Sequence, residues 1–412
     1  MPVVLQINSC ANWGSTGKIV EGINNLAQSR GYEVYTAYGR YATPSNSKLI
    51  KIGDRFSQLS ALVRARLCDN EGLASSVATR RLLKRIEDIS PDIIHLHNLH
   101  GYYINYVLLF DYLSHKRIPV IWTFHDCWPF TGHCAHYVYE NCYRWKQECH
   151  NCPLRAEYPK SFFIDRSRKN YNEKKTWFTK DFPMTIVTVS EWLRSQVFQS
   201  FFTGKETKVI YNGIDTAVFK PLSKDTIDAF KAKHGLGGKK IFLAVSSVWP
   251  ESKGLSHYND LASLLEEDEA LVLIGVDSRT RKRLSPKIIS YPRTDSVDEL
   301  VTWYNAAEVV LSLSSAESFG LTIVEGFACG TPSVVFNNTA LTELVAPGTG
   351  IVADNGDVNQ VRKALSIIRG SGKASYSDSC RKRATSLYDK ASCYSQYLDL
   401  YDSKLNCESI PH

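Results

Sequence analysis

Short apolar runs alternate along the chain with longer stretches in which apolar residues recur every three or four positions. The first set of runs is VVLQIN (3–8), EVYTAYG (33–39), DIIHLHN (92–98), PVIWTFHD (119–126), TIVTVS (185–190) and KVIYNGI (208–214), with helical patterns near 17–30, 79–89, 105–117 and 191–202. Runs without polar alternation suit strands covered on both faces, as in a parallel sheet flanked by helices. Residues 213–239 interrupt the rhythm with Gly213, Pro221, Gly235, Gly237 and Gly238 among many charges, a composition that reads as a linker. The alternation resumes in KIFLAVS (240–246), ALVLIGV (270–276), IISYPR (288–293), EVVLSLS (308–314), PSVVFN (332–337) and TGIVA (349–353), and a last helical pattern covers 391–404. The pattern predicts an α/β protein of two doubly wound parallel-sheet domains. The expected bounds are 1–215 for the first domain, 216–239 for the linker and 240–390 for the second domain, with a helix in 391–412 that packs back on the first.

Composition narrows the class. At 412 residues the chain exceeds one ordinary core, and 43% apolar with 22% charged residues is the make-up of a folded protein. The formal charge of +7 suits anionic ligands or an anionic surface. Nucleic acid is not the expected partner: the sequence has no basic tail, no zinc-finger spacing and no RNA-binding aromatic signature. No run approaches the roughly 18 apolar residues that span a bilayer. The start, MPVVLQIN, reads as a first strand rather than a signal peptide, so a cytoplasmic protein is expected. Eleven cysteines, several in strands and helices, argue against an extracellular disulfide framework.

In open parallel sheets ligands bind beyond the carboxyl ends of the strands, which gives the loops after strands priority. The segment ESFGLTIVEGFACGTP (317–332) follows EVVLSLS and predicts a helix over about 320–329, ended by Gly330 and Pro332. Its entrance, Ser318-Phe319-Gly320, offers backbone amides at a helix N-terminus, where a phosphate is held by N–H groups and the helix dipole. Glu317 stands before that helix and Glu325 in its second turn, so both carboxylates can reach one ligand.

This block resembles the donor-binding signature of the large retaining glycosyltransferase family 4, two glutamates separated by seven residues with SFGL between them. The similarity extends to GSTGK after the first strand, HLHN and TFHD in the first half, KVIYNGID before the linker, a Lys-Gly pair after the first strand of the second half, and WYNAAEVVLSLS. It implies the GT-B fold, two Rossmann-like domains facing each other across a cleft, with the nucleotide in the second. Carried over, Glu325 hydrogen-bonds the ribose hydroxyls, Glu317 contacts the transferred sugar, and the amides of Phe319, Gly320 and Leu321 hold sugar or phosphate oxygens, beside Ser318. Lys253 neutralises the diphosphate leaving group, whose charge grows in the transition state. Many relatives carry an arginine a few residues before that lysine; here the stretch reads Ser246, Ser247, Val248, Trp249.

Gly14-Ser15-Thr16-Gly17-Lys18 follows a strand and opens a helix, yet Asn12 and Ile19 stand where a P-loop needs Gly and Ser or Thr. The resemblance instead assigns Gly14 and Ser15 to the donor phosphates or the acceptor, and His125 to the donor sugar; a tight turn and a structural histidine are the plainer readings. His97, Asn98 and His100 are acceptor candidates or structural residues. The implied chemistry is transfer with retention and no catalytic metal, by positioning and charge stabilisation. The partners are a nucleotide-sugar donor and a glycan or polyprenyl-linked glycan acceptor, as in bacterial capsule and colanic-acid-type exopolysaccharide synthesis. Competing readings are an epimerase, hydrolase or phosphorylase on the same fold, or a non-catalytic sugar-nucleotide binding protein.

Two features lie outside that signature. The insert at 127–153 holds Cys134, Cys142, Cys149 and Cys152, four thiols that suit a structural zinc and equally admit unligated cysteines or disulfides. Arg80, Arg81, Lys84 and Arg85 alternate with Leu82, Leu83 and Ile86. Such a helix can rest peripherally on anionic lipid at the inner face of the cytoplasmic membrane, or be an ordinary solvated face.

Overall fold

A computed structural model describes residues 1–407. The chain forms two compact units, Met1–Tyr211 together with the chain from Cys393 on, and Asn212–Ser392. Each is built on one parallel sheet.

The first unit contains β1 (Val3–Asn8), β2 (Glu33–Tyr38), β3 (Lys48–Lys51), β4 (Ile93–Leu96), β5 (Val120–Phe124), β6 (Met184–Thr188) and β7 (Thr207–Val209), in the order β3-β2-β1-β4-β5-β6-β7. The second contains β8 (Lys240–Val245), β9 (Glu269–Ile274), β10 (Ile288–Tyr291), β11 (Ala307–Ser312), β12 (Ser333–Phe336) and β13 (Gly350–Ala353), in the order β10-β9-β8-β11-β12-β13. Both sheets start in the middle, grow to one side, then cross back and grow to the other. The order reverses between β1 and β4 and between β8 and β11, and at such a reversal the following loops splay apart and leave room for a ligand. Central strands are buried along their length, which explains their unbroken apolar runs. The edge strand β3, exposed at three of four residues, carries Lys at both ends and has no such run, so the apolar pattern gave no sign of it.

The C-terminal helix Lys390–Cys407 adds Tyr394, Tyr397, Leu398 and Tyr401 to the core around Val4, Ile19, Ile93 and Ile121. Polar bonds fix its register, since Tyr401 reaches His95 Nδ1 at 2.7 Å and Tyr397 meets Thr123 Oγ1 at 3.3 Å. The stretch expected as a linker lies within the second unit and contains a helix. Its helix Lys224–Lys233, N-capped by Ser223, packs Phe230 edge-on against Trp303 at 4.9 Å. Periodicity over ten residues was masked there by the flanking glycines.

Candidate active site

At the reversal point of the second sheet, the loops after β8 and β11 are stitched together. Ser315 donates its N–H to Ser252 O at 2.9 Å, and the Ser315 hydroxyl reaches the same oxygen at 3.1 Å. Gly254 has φ +79°, and a Cβ on it would lie 2.1 Å from Leu313 O, so only glycine lets the first loop lie against the end of β11. This contact carries Lys253 to Glu317. Its Nζ donates to Glu317 Oε1 at 2.5 Å, and Ser314 Oγ donates to the same oxygen at 3.0 Å. The Glu317 backbone is held as well, with its N–H on Thr339 Oγ1 at 3.0 Å and its carbonyl accepting from Ala340 N at 3.2 Å.

The helix Leu321–Ala328 starts at Gly320, φ +118°, with no side chain capping it. A Cβ at Gly320 would meet Leu341 Cδ2 at 2.9 Å, so the entrance is tight as well as bare. Ser318 and Leu321 flank it half-buried, while Phe319 is buried against Tyr388 at 5.7 Å between ring centres. One turn on, Tyr304 OH donates to Glu325 Oε2 at 2.6 Å, and Tyr304 is itself tied by Thr331 Oγ1 to its carbonyl. The unit thus brings together a cation, two carboxylates and an uncapped helix entrance at the carboxyl ends of adjacent strands, an arrangement that holds an anion on one side and hydroxyls on the other. In the stretch 246–249, where the resemblance leads one to expect an arginine, Trp249 is buried and donates to Ile274 O at 3.1 Å.

In the first unit the helix Gly14–Ser29 also begins without a side-chain cap, and Gly14 and Ser15 are exposed at its entrance. His125 follows β5 and is joined to His97 by a 3.0 Å bond from Nε2 to Nδ1. The donors along this line can be assigned. Gln6 donates its amide to Asn24 Oδ1, which leaves Gln6 Oε1 to accept from His97 Nε2 at 2.7 Å. Asn24 donates to Thr36 Oγ1; Thr36 donates to Ser47, Ser47 to Ser45, and Ser45 to the Glu21 carboxylate. Every bond in the chain points toward Glu21, so His125 donates from Nε2 and keeps Nδ1 as its acceptor. Burial pushes His125 down to about 4 against the pull of Asp126, and drives His97 well below its ordinary value. His97 is therefore an interior link, not a surface for a ligand. Asn98 uses its N–H on Asn8 at 3.3 Å. His100 bridges Asp126 Oδ2 and Tyr158 OH, both at 2.8 Å. Burial alone would raise Asp126, but the charge and hydrogen bond of His100 overcome it and hold the carboxyl at about 2.

Residues 19–218 match the family model described as Glycosyltransferase Family 4, and residues 226–384 match Glycosyl transferases group 1. The chain belongs to glycosyltransferase family 4. Among curated proteins, this glycosyltransferase is 21% identical to the "Putative colanic acid biosynthesis glycosyl transferase WcaC" of Escherichia coli K12, over 97% of this chain and 99% of that one. It is 20% identical to an "Uncharacterized 41.2 kDa protein in cps region" of Klebsiella pneumoniae, over 78% of this chain and 82% of the other. Among solved structures, sucrose-phosphate synthase from Thermosynechococcus elongatus superposes with a TM-score of 0.71 at 15% identity, over 99% and 100% of the two chains. Anabaena HepE in complex with UDP-glucose superposes with a TM-score of 0.67 at 15% identity, over 97% and 99%. These likenesses give the glycosyltransferase the GT-B fold.

Several residues that organise its site escaped the sequence reading: Tyr304, Ser314 and Thr339 around the two glutamates, and Gln6, Asn24 and Glu21 behind His125. A sign of the second group was present. Gln6 interrupts an apolar strand and Asn24 lies on the buried face of an amphipathic helix, and polar groups in such places need partners.

Proposed function

We propose that this glycosyltransferase transfers a sugar, with retention, from a nucleotide-activated donor to a hydroxyl of a glycan or polyprenyl-linked glycan in bacterial surface-polysaccharide assembly. The observation that carries the reading is the Lys253–Glu317 pair fixed beside Glu325 and the bare helix entrance at Gly320. Lys253 meets the charge that grows on the departing diphosphate, Glu317 orients the transferred sugar, and Glu325 accepts from the ribose hydroxyls. Neither carboxylate has to reorganise, because Ser314 and Tyr304 already hold them. His125 offers Nδ1 to a sugar hydroxyl, and Gly14 and Ser15 present amides to an anion or acceptor. The name of the WcaC relative and the UDP-glucose bound by HepE support the pathway and the donor class.

A panel of UDP-, GDP- and ADP-sugars in a thermal-shift assay tests the reading, since a ligand that binds the folded state raises the melting temperature. One nucleotide class is expected to stabilise the protein, Glu325→Ala to abolish the shift, and Lys253→Ala to keep most of it while lowering turnover by about 100- to 1,000-fold. An undiminished shift in Glu325→Ala would refute the site.

A second reading concerns location. No helix among the described residues is long and apolar enough to cross a membrane. The helix Arg55–Cys68, however, packs through Ala61 and Ala65 and turns Phe56, Leu59, Val63 and Leu67 outward, with Phe56 81% exposed. Next to it, Gly53 approaches Ala78 at the start of the helix Ser76–Ile89, whose Arg80, Arg81, Lys84 and Arg85 are exposed. Apolar side chains among exposed bases are the make-up of a face that lies in an anionic lipid surface.

A further inference from the structure

The insert after β5 is held mostly by three short 3-10 turns, Trp128–Phe130, Val138–Glu140 and Arg144–Lys146. It encloses a small cavity lined by Cys134, Cys142, Cys149 and Cys152, with His133 and Trp145 on its wall. Among the described residues no three His, Cys, Asp or Glu side chains are gathered as a formed metal site, and these four cysteines are free thiols. The surroundings of the sulfurs nevertheless have a common sign. Gly132 donates its N–H to Cys149 Sγ at 3.2 Å. The indole Nε1 of Trp145, fully buried, has no partner. Neither has Nε2 of His133, whose Nδ1 is fixed on Asp69 Oδ1 at 2.6 Å. The buried ammonium of Lys174 stands over the Trp128 ring at 3.5 Å, bonded to the Trp128 and Thr131 carbonyls and to no carboxylate. A backbone donor, two orphaned ring nitrogens and a buried lysine held by carbonyls with no carboxylate partner make a poor balance around four uncharged thiols. The same groups around thiolates make a good one.

We propose that Cys134, Cys142, Cys149 and Cys152 bind one zinc ion as thiolates, and that Lys174 and the Asp69–His133 pair stabilise the resulting anionic centre. Binding releases the four thiol protons to solvent, and two of the four sulfur charges are neutralised by the metal. All four thiols line the same small cavity, so one ion there faces each of them. Cys149 and Cys152 supply the close Cys-x-x-Cys pair, while Cys134 and Cys142 anchor the other side of the insert. The centre braces the loop that follows His125 and Asp126, so its role is structural.

Full-length protein purified under reducing, chelator-free conditions is expected to carry about one zinc per chain by elemental analysis. Cobalt in its place is expected to give the thiolate charge-transfer absorption and intense visible bands of a four-sulfur tetrahedron. Cys149→Ser and Cys152→Ser should lose the metal, while Cys68→Ser, exposed and not among the residues lining the cavity, should keep it. Lys174→Met, which retains an apolar stem over Trp128, should weaken zinc about 10- to 100-fold in competition with a chromophoric chelator. Metal-free protein with titratable thiols, or a disulfide between any two of the four cysteines, overturns the site. Retention of zinc by Cys149→Ser overturns the ligand set, and unchanged affinity in Lys174→Met overturns the charge balance.

Discussion

At the scale of single residues, His125 shows how a buried polar chain sets chemistry that its own neighbours do not. Asp126 beside it favours the charged ring, yet burial prevails and leaves His125 neutral down to about 4. In the unfolded chain an imidazole titrates near about 6.5, so between those values the unfolded state holds a proton that the folded state refuses. Stability is thus complete above about pH 6.5 and drains as the pH falls toward 4, by about 3 kcal/mol for His125 alone. Asp126, held at about 2, loses its contribution only below that window. Urea melts between pH 7.5 and 4.5 are therefore expected to give a steep acid decline, made shallower by His125→Gln; equal slopes in the two proteins would refute the argument. Over the same range transfer activity should show no limb from His125, because its protonation does not change there. The motif HLHN pointed to functional histidines, but nothing in the sequence says which faces a ligand and which closes a chain. That distinction comes from Gln6, 91 positions away from His97 and directly bonded to it.

Elements add a second kind of information. A helix in a folded domain ordinarily buries its larger apolar side chains, and the helix Arg55–Cys68 does the reverse. Its packing through Ala61 and Ala65 explains why residues 55–68 gave no clear helical pattern in the sequence: the apolar positions that define the outward stripe do not point to the core. Flotation of the full chain with vesicles rich in phosphatidylglycerol is expected to carry it to the lipid fraction, and neutral vesicles are not. Phe56→Ser with Leu59→Ser should abolish flotation without altering the melting temperature by more than about a degree, since exposed side chains contribute little to folding. Flotation unchanged by that pair would remove the helix from the membrane reading. The loop after β8 is a contrasting element. Its glycine was visible in the sequence as part of a Lys-Gly pair, but the reason for it, a backbone approach to Leu313 O that admits no Cβ, exists only in three dimensions.

At the scale of the whole molecule, the first unit is completed by the end of the chain. Tyr394, Tyr397, Leu398 and Tyr401 lie among residues of β1, β4 and β5 and of the helix Gly14–Ser29, and two of these tyrosines bond the buried His95 and Thr123. Removing the chain after Ser392 uncovers that core. The truncated protein is expected to lose the melting transition of the first unit in calorimetry and to retain that of the second, whose core around Phe242, Leu271, Val309 and Val334 is intact without the helix. A single unaltered transition in the truncated protein would contradict this. The six strands of the second sheet repeat the order of the first six of the seven-stranded sheet, and this recurrence without sequence repetition is why the alternation of runs was readable twice along the chain.

The sequence alone determined the class of architecture, the number of sheets and the location of the corner at 317–325, because buried parallel strands demand unbroken apolar runs and ligand loops follow them. Resemblance to a known family singled out Glu317 and Glu325 from one local motif and Lys253 from a separate Lys-Gly pair after β8. Tertiary structure decided the rest: the bond from Lys253 to Glu317, the tyrosine on Glu325, the direction of the proton chain behind His125 and the donors gathered around four cysteines. Each of these joins residues far apart in the chain, and which distant side chains meet is fixed by packing, of which the order of residues carries only an indirect trace.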